Sequence, residues 1–201
     1  MPSHRAVLGA ALLAGLAGAV ASLYFQPRLA IQLANTEWGQ RTLGTLLAAR
    51  APAPPPGLAI ARPGARLPSF TVHTLDGTPV ALPGRWAGRT TVVNLWATWC
   101  APCLREMPIL QAFARTQAQH GTQLAGIALD DAAAVRNFLH AHPARYPQLV
   151  AAPGPADAGV RLGNPAGVLP YTVLVDADGR LLKTHIGPFA DTAALAAWAA
   201  P

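Results

Sequence analysis

Apolar positions along the chain fall into three regimes. From Ala6 to Phe25, twenty consecutive residues carry no charge, AVLGAALLAGLAGAVASLYF. A helix rising 1.5 Å per residue over that length reaches about 30 Å, the depth of a bilayer's hydrocarbon core. His4 and Arg5 precede the run, and Tyr24, Phe25 and Arg28 close it, the arrangement of an interfacial boundary. Residues 1–28 are therefore expected to be an uncleaved membrane anchor with the N-terminus inside, or a signal peptide cut after Ala19-Val20-Ala21, which fits a small-x-small cleavage pattern. The second regime, residues 29–50, places Leu29, Leu33, Leu43, Leu46 and Leu47 at roughly helical spacing, interrupted by Gly39 and Gly44. It predicts a weak amphipathic juxtamembrane helix. Pro52, Pro54, Pro55 and Pro56 follow as a stiff, extended spacer, so that residues 29–60 form a juxtamembrane segment and linker.

The third regime, residues 61–201, alternates short β-prone runs with helical periodicity. Phe70 to Thr74 and Thr78 to Leu82 flank Asp76-Gly77, which predicts a hairpin. Thr90 to Trp96 reads as a buried strand. From Cys100 to Gln119, Leu104, Met107, Leu110, Ala114 and Ala118 give helical spacing, with Pro108 expected to kink or break the helix. Thr122 to Leu129 predicts a strand, and Asp130 or Asp131 caps a helix whose apolar face carries Val135, Phe138 and Leu139. Leu149-Val150 and Asp157 to Leu162 predict a short strand and a turn or two of helix. Tyr171 to Asp176 and Arg180 to Ile186 predict a second hairpin about Ala177-Asp178-Gly179, and Thr192 to Ala200 a terminal helix. This order predicts an α/β domain with a mixed sheet.

Composition narrows the classes. In 201 residues, 52% are hydrophobic, enough for a core, and only 12% are charged. The net charge of +6 comes from 15 basic against 9 acidic residues. The basic residues are scattered rather than clustered with aromatics, so no nucleic-acid footprint is expected. Eighteen glycines and 20 prolines are unevenly spread and do not describe a collagen-like or disordered chain. Two cysteines build neither a disulfide-stapled scaffold nor a four-cysteine zinc site.

Both cysteines lie in Trp96-Ala97-Thr98-Trp99-Cys100-Ala101-Pro102-Cys103, where a predicted strand gives way to a predicted helix. Disulfide exchange needs one exposed thiol at a helix N-terminus, where free N–H groups and the macrodipole stabilise a thiolate. It needs a second thiol within reach to attack the mixed disulfide. Cys100 fits the first role and Cys103 the second, while Pro102 near the first helical turn costs little. A structural bridge closing so small a ring would constrain little of the unfolded chain. A metal site would need further ligands, and His4, His73, His120, His140, His142 and His185 are dispersed. No metal and no cofactor is expected.

This motif and its setting resemble the thioredoxin fold and, more narrowly, the membrane-tethered TlpA/ResA-like thiol-disulfide reductases, which include cytochrome c maturation proteins. The resemblance runs from about residue 64 to 199 and rests on the entering hairpin, VVNLWATWCAPCLREMP (Val92 to Pro108), GIALDD (Gly126 to Asp131) and GVLPYTVLVDADGRL (Gly167 to Leu181). It implies a mixed central sheet flanked by helices, with an added N-terminal β-hairpin. It further implies a cis Leu169–Pro170 bond opposite the cysteines, leaving the Leu169 backbone free to pair with an extended substrate. Glu106 matches an acidic residue beside the pair, on the same helix face as Cys103 and placed to take its proton; the competing reading is a solvated surface glutamate. Asn94 stands where cytosolic-type thioredoxins carry a buried aspartate, which fits the narrower family. Trp96 and Trp99 are expected to shield the disulfide, with Trp99 also contacting substrate. Trp86 and Trp198 are expected in the core, His120, His140 and His142 at the surface, and His185 in a structural role.

The resemblance implies a monomeric protein-disulfide reductase at the periplasmic face of the inner membrane, or soluble in the periplasm if cleaved. Its substrates would be disulfide-bearing proteins and its electrons would come from an integral-membrane thiol donor. Two other functions use related residues. A copper-handling protein of this fold would recruit His185, but such proteins usually space their cysteines more widely. A thiol oxidase would run the same dithiol in reverse. A peroxidase site of the form P-x-x-x-T-x-x-C is absent, since Val93 and Ala97 occupy the required positions.

Overall fold

The computed structural model describes Gly15 and residues 32–117 and 121–200. The predicted anchor at Ala6 to Phe25, apart from Gly15, lies outside the described residues, as does His120. The chain divides into two units, residues 1–46 and 47–201, and the sheet and both cysteines lie in the second. Helix α1, Glu37–Arg50, carries an exposed Arg41–Glu37 ion pair at 3.5 Å. No helix among the described residues is long and apolar enough to cross a membrane.

The second unit is built on β1 (Phe70–Thr74), β2 (Pro79–Leu82), β3 (Thr91–Trp96), α2 (Ala101–Gln117), β4 (Gln123–Leu129), α3 (Ala132–Ala141), β5 (Gln148–Ala151), α4 (Ala158–Arg161), β6 (Tyr171–Val175), β7 (Leu181–Ile186) and α5 (Thr192–Ala199). The strands form one sheet in the order β2-β1-β5-β4-β3-β6-β7. β3 pairs in parallel with β4, and β4 with β5, while β6, β7 and the β1–β2 hairpin run antiparallel to their neighbours. This is the mixed thioredoxin-like sheet with an added hairpin that the resemblance implies. Ala61 is buried and its N–H donates to the Arg161 carbonyl at 2.8 Å, so the chain joins the core where the Pro-rich segment ends.

Local chemistry sets the boundaries. β3 and β6 are buried at every position, as central strands covered on both faces must be. Gly77 takes φ +91° in the first hairpin turn, a conformation open to glycine at no steric cost. Asp131 caps α3 by accepting from the amides of Ala133 and Ala134, and Asp191 caps α5 through Ala194. Helix α2 is not broken at Pro108 but runs unbroken through it. Pro108 is exposed, and the helix is held by the buried side chains of Cys103, Glu106, Met107, Leu110 and Phe113 along its inner face. That packing offsets the one hydrogen bond a proline removes.

One face of the sheet packs Val93, Leu95, Ile127, Tyr171 and Val173 into the largest core cluster. The opposite face carries Val92 against Leu110, Phe113, Leu174 and Leu195, and Trp96 against both cysteines and Met107. A polar row crosses that second face. Asn94 on β3 is in register with Gly126 on β4 and Thr172 on β6, Gly126 with Gln148 on β5, and Thr172 with His185 on β7. Residues in register share a face.

Candidate active site

β3 ends at Trp96 and a short turn, Ala97 to Cys100, leads directly into α2. The Cys100 amide donates to the Ala97 carbonyl at 3.1 Å, and the Cys100 carbonyl accepts the first helical bond from Leu104, also at 3.1 Å. Cys100 thus stands at the positive end of a helix. It is joined to Cys103 in a disulfide with a Cα–Cα distance of 5.3 Å, and the Cys103 N–H points at Cys100 Sγ at 3.3 Å. A free N–H aimed at the sulfur favours its thiolate once the bond is opened.

The turn is held from β4's C-terminal end. Asp130 accepts from the Thr98 amide at 2.9 Å, from the Thr98 hydroxyl at 2.5 Å and from the Asp131 amide at 2.8 Å. Burial works to raise its carboxyl, but those donors outweigh it and hold Asp130 below the usual carboxylate range. Thr98 and Asp130 were not legible as a pair. The only signal, an aspartate at a strand end, also reads as a helix cap.

Burial differs from expectation in two places. Cys100 is only 4% exposed and Cys103 1%. The attacking sulfur lies in a cluster with Trp96, Ala97 and Met107, with Leu169 packed against it. Trp99, expected to shield the pair, is 69% exposed. It sits on the turn beyond the end of β3, while Trp96 still belongs to the strand and takes the shielding position, with its Nε1 donating to Gln148 Oε1 at 2.9 Å. Gly126 makes that bond feasible. A Cβ there would come within 2.8 Å of Gln148 Cδ, so the Gln148 side chain crosses β4 to Trp96 over a position that has no side chain and would have to shift if one were added.

Glu106 lies one turn beyond Cys103 on the buried face of α2 and is 1% exposed. The surface reading is overturned. Its Oε1 accepts from the Phe189 amide at 2.8 Å, and its Oε2 from Asn94 Nδ2 at 3.3 Å; Asn94 Nδ2 also faces Thr172 Oγ1 at 3.0 Å. Desolvation dominates, and these two donors only partly counter it, so the carboxyl is pushed up to about 7. A group poised there exchanges protons at neutral pH. Phe189 and Thr172 were not anticipated. A backbone amide leaves no trace in sequence, and Thr172 is signalled only as a polar residue inside an apolar strand.

Leu169–Pro170 is cis, and Leu169 packs against the cluster that holds both cysteines. Leu82–Pro83 is also cis, which the sequence reading did not anticipate. Trp86 is buried and Trp198 half-buried. His140 and His142 are exposed. His185 is buried away from the surface, and no group of three or more His, Cys, Asp or Glu side chains among the described residues is arranged to hold a metal.

Residues 62–197 match the Redoxin family. Over 127 residues the chain is 29% identical to the thiol-disulfide oxidoreductase ResA of Bacillus thuringiensis strain Al Hakam, covering 62% of this chain and 69% of that protein. Among solved structures it is similar to a thiol:disulfide interchange protein of the thioredoxin family from Chlorobium tepidum TLS, at 30% identity and TM-score 0.54 over 70% of this chain and 97% of that one. It is likewise similar to a thioredoxin-related protein from Neisseria meningitidis serogroup B, at 32% identity and TM-score 0.54 over 63% and 93%. With a Cys-x-x-Cys pair at a helix N-terminus and a matched region spanning most of the chain, the protein belongs to the Redoxin family, as a thioredoxin-fold thiol-disulfide oxidoreductase of the TlpA/ResA type.

Proposed function

We propose that this chain reduces disulfides in extracytoplasmic proteins, with Cys100 as the attacking thiolate, Cys103 as the resolving thiol and Glu106 as the acceptor of the resolving proton. The observation that carries the reading is the Cys100–Cys103 pair at the N-terminus of α2 with the buried Glu106 carboxyl one helical turn further on. In the reduced enzyme, Cys100 Sγ attacks a substrate sulfur. A Cys100–substrate disulfide forms, the substrate's own S–S bond breaks, and the departing thiolate takes a proton from solvent. Cys103 then loses its proton to Glu106 and attacks Cys100 Sγ. The mixed disulfide breaks, the second substrate sulfur leaves as a thiolate and takes a proton back from Glu106 or from solvent, and Cys100–Cys103 closes. Two electrons pass from the dithiol to the substrate. A buried thiol ionises reluctantly, so an adjacent base near neutrality supports the second step in particular.

Trp99, exposed on the turn, and Leu169 beside the pair offer the substrate contact, with the Leu169 backbone next to Pro170 pairing an extended segment. The uncharged run at Ala6 to Phe25 supports anchoring at the periplasmic face of the inner membrane, with residues 29–60 as the tether and residues 61–201 as the monomeric redox domain. An integral-membrane thiol donor would then restore the dithiol, and the substrates would be proteins awaiting reduced cysteines, as in cytochrome c maturation. Microscopic reversibility lets the same carboxyl serve oxidation, so the potential decides direction. Equilibration against glutathione should give a value of about −250 mV or lower; one near about −120 mV would make the protein an oxidant and overturn the reading.

A further inference from the structure

We propose that His185 is a positioning residue for the thiol-exchange site, holding the turn after β7 so that the Phe189 amide stays on the Glu106 carboxyl. His185 lies on β7 in register with Thr172, at the end of the polar row that carries Asn94. It is 4% exposed. One ring nitrogen bonds the Pro188 carbonyl, and Nε2 has no hydrogen-bond partner. The bonded nitrogen is therefore Nδ1. It faces a carbonyl, which only accepts, so it carries the proton, and burial, which lowers the ring's pKa to about 4, leaves Nε2 unprotonated and the ring neutral. The ring stacks on Phe189 with centroids 4.1 Å apart and planes 16° from parallel, and meets Trp198 edge-on at 6.1 Å.

His185 thus grips both residues of the Pro188–Phe189 peptide, one by its carbonyl and the other by its side chain. That geometry fixes the direction of the intervening N–H, which is the donor to Glu106 Oε1 at 2.8 Å. The near end of the turn is fixed separately, because Gly187 N–H donates to the Pro170 carbonyl at 2.9 Å and Gly187 takes φ +94°. His185 carries that constraint forward to Phe189, whose ring also packs against Trp198 at 5.3 Å. The consequence falls on the carboxyl. Glu106 has two protein donors for its charged form, the Phe189 amide and Asn94 Nδ2, and a loosened amide leaves the shorter of the two contacts unmade. Around Glu106, Asn94 faces it from the sheet and Phe189 from the turn, and Cys103 lies one helical turn before it on the same buried face of α2. Tyr146, ahead of β5, is the further titratable group whose charge it influences. No donor among these replaces the Phe189 amide on Oε1, since Asn94 Nδ2 is on Oε2.

Two substitutions separate the two grips. His185→Phe keeps an aromatic ring for the stack and removes the N–H. His185→Asn places an amide N–H close to the Nδ1 position and removes the ring. Carbon-13 NMR of the labelled Glu106 carboxyl, in the full-length disulfide form, reads the result directly. In His185→Phe the midpoint should rise by about one unit, a tenfold gain in proton affinity, because a hydrogen bond that favours the charged form is weakened. In His185→Asn it should return most of the way to wild type. An unmoved midpoint in His185→Phe overturns the proposal, as does an Asn variant shifted as far as the Phe variant, because a restored N–H would then restore nothing. The inference rests on the proton-acceptor reading of Glu106 only for its kinetic consequence. If the carboxyl midpoint moves while the pH profile of Cys103 attack does not, His185 positions Glu106 as proposed, and it is the proton-acceptor role that fails.

Discussion

Glu106 and His185 oppose each other in the pH dependence of stability, and removing either should uncover the other. Glu106 is raised from 4.5 to about 7 in the folded protein by burial. Its stabilisation is fully present below pH 4.5 and is lost as pH rises through about 7, because the unfolded chain ionises first. His185 is lowered from 6.5 to about 4, also by burial. Its contribution is fully present above pH 6.5 and is lost as pH falls through about 4, because the unfolded chain takes up the proton first. Each effect has a slope of about 1.4 kcal/mol per pH unit and totals about 3 kcal/mol over its window. Between pH 4.5 and 6.5 the slopes carry opposite signs and nearly cancel. Asp76 and Asp130 lie below the usual aspartate value, so their contributions fall outside this interval.

The wild-type disulfide form should therefore show an almost flat unfolding free energy from pH 4.5 to 6.5. Glu106→Gln, which keeps the shape and removes the ionisation, should gain stability with rising pH at about 1.4 kcal/mol per unit, and His185→Phe should lose it at a similar rate. Urea unfolding followed by tryptophan fluorescence at half-unit pH intervals, with linear extrapolation to water, measures all three. A flat profile in Glu106→Gln would show that His185 is not held neutral. A flat profile in His185→Phe would show that Glu106 ionises freely in the fold, and would remove the basis for its role as the resolving base.

Cys103→Ser should accumulate substrate as a mixed disulfide on Cys100, seen by non-reducing electrophoresis and mass spectrometry; capture confined to Cys100→Ser would reverse the roles. Trp99→Ala should leave stability within about 0.5 kcal/mol, as exposed positions do, while raising KM for a protein substrate; an unchanged KM would remove Trp99 from the docking surface. Gly126→Ala should displace the Gln148 amide from Trp96 and cost about 1–3 kcal/mol through the unpaired buried indole N–H, measured by urea unfolding; a loss that persists when Gln148 is also Ala would place the cost elsewhere.

The sequence and the structure agree most closely where chemistry is local. Hairpin turns at Asp76-Gly77 and Asp178-Gly179, the Asp131 cap and the strand-to-helix placement of Cys100 all depend on neighbours along the chain, and each lies where residue type and spacing put it. The misjudged features are those fixed by distant partners. Trp96 and Trp99 look equivalent in sequence, yet one is buried on Gln148 and the other is 69% exposed. Pro108 predicts a kink or a break by its own chemistry, but the buried stripe on both sides of it carries α2 through without a break.

Glu106 marks the boundary between these cases. Its side of the helix is legible, because Glu106 follows Cys103 by three residues on one helix face, but its burial is settled only by the packed stripe of Cys103, Glu106, Met107, Leu110 and Phe113. What receives it is not legible in the same way. Asn94 and Thr172 interrupt apolar strands, and Gly126 and His185 are unremarkable on their own, until register aligns them across the sheet. Register is a long-range property that no single strand's sequence states, least of all in β3 and β6, which are buried on both faces. A carboxyl entering a face lined only with valine and leucine would have stayed protonated far above neutrality. The polar row supplies Asn94 Nδ2, and the turn leaving β7 supplies the Phe189 amide. Two donors against a largely desolvated site bring the group to about 7, low enough to give up a proton and high enough to accept one. The proton chemistry of the cysteine pair therefore depends on sheet register as much as on the Cys-x-x-Cys motif itself.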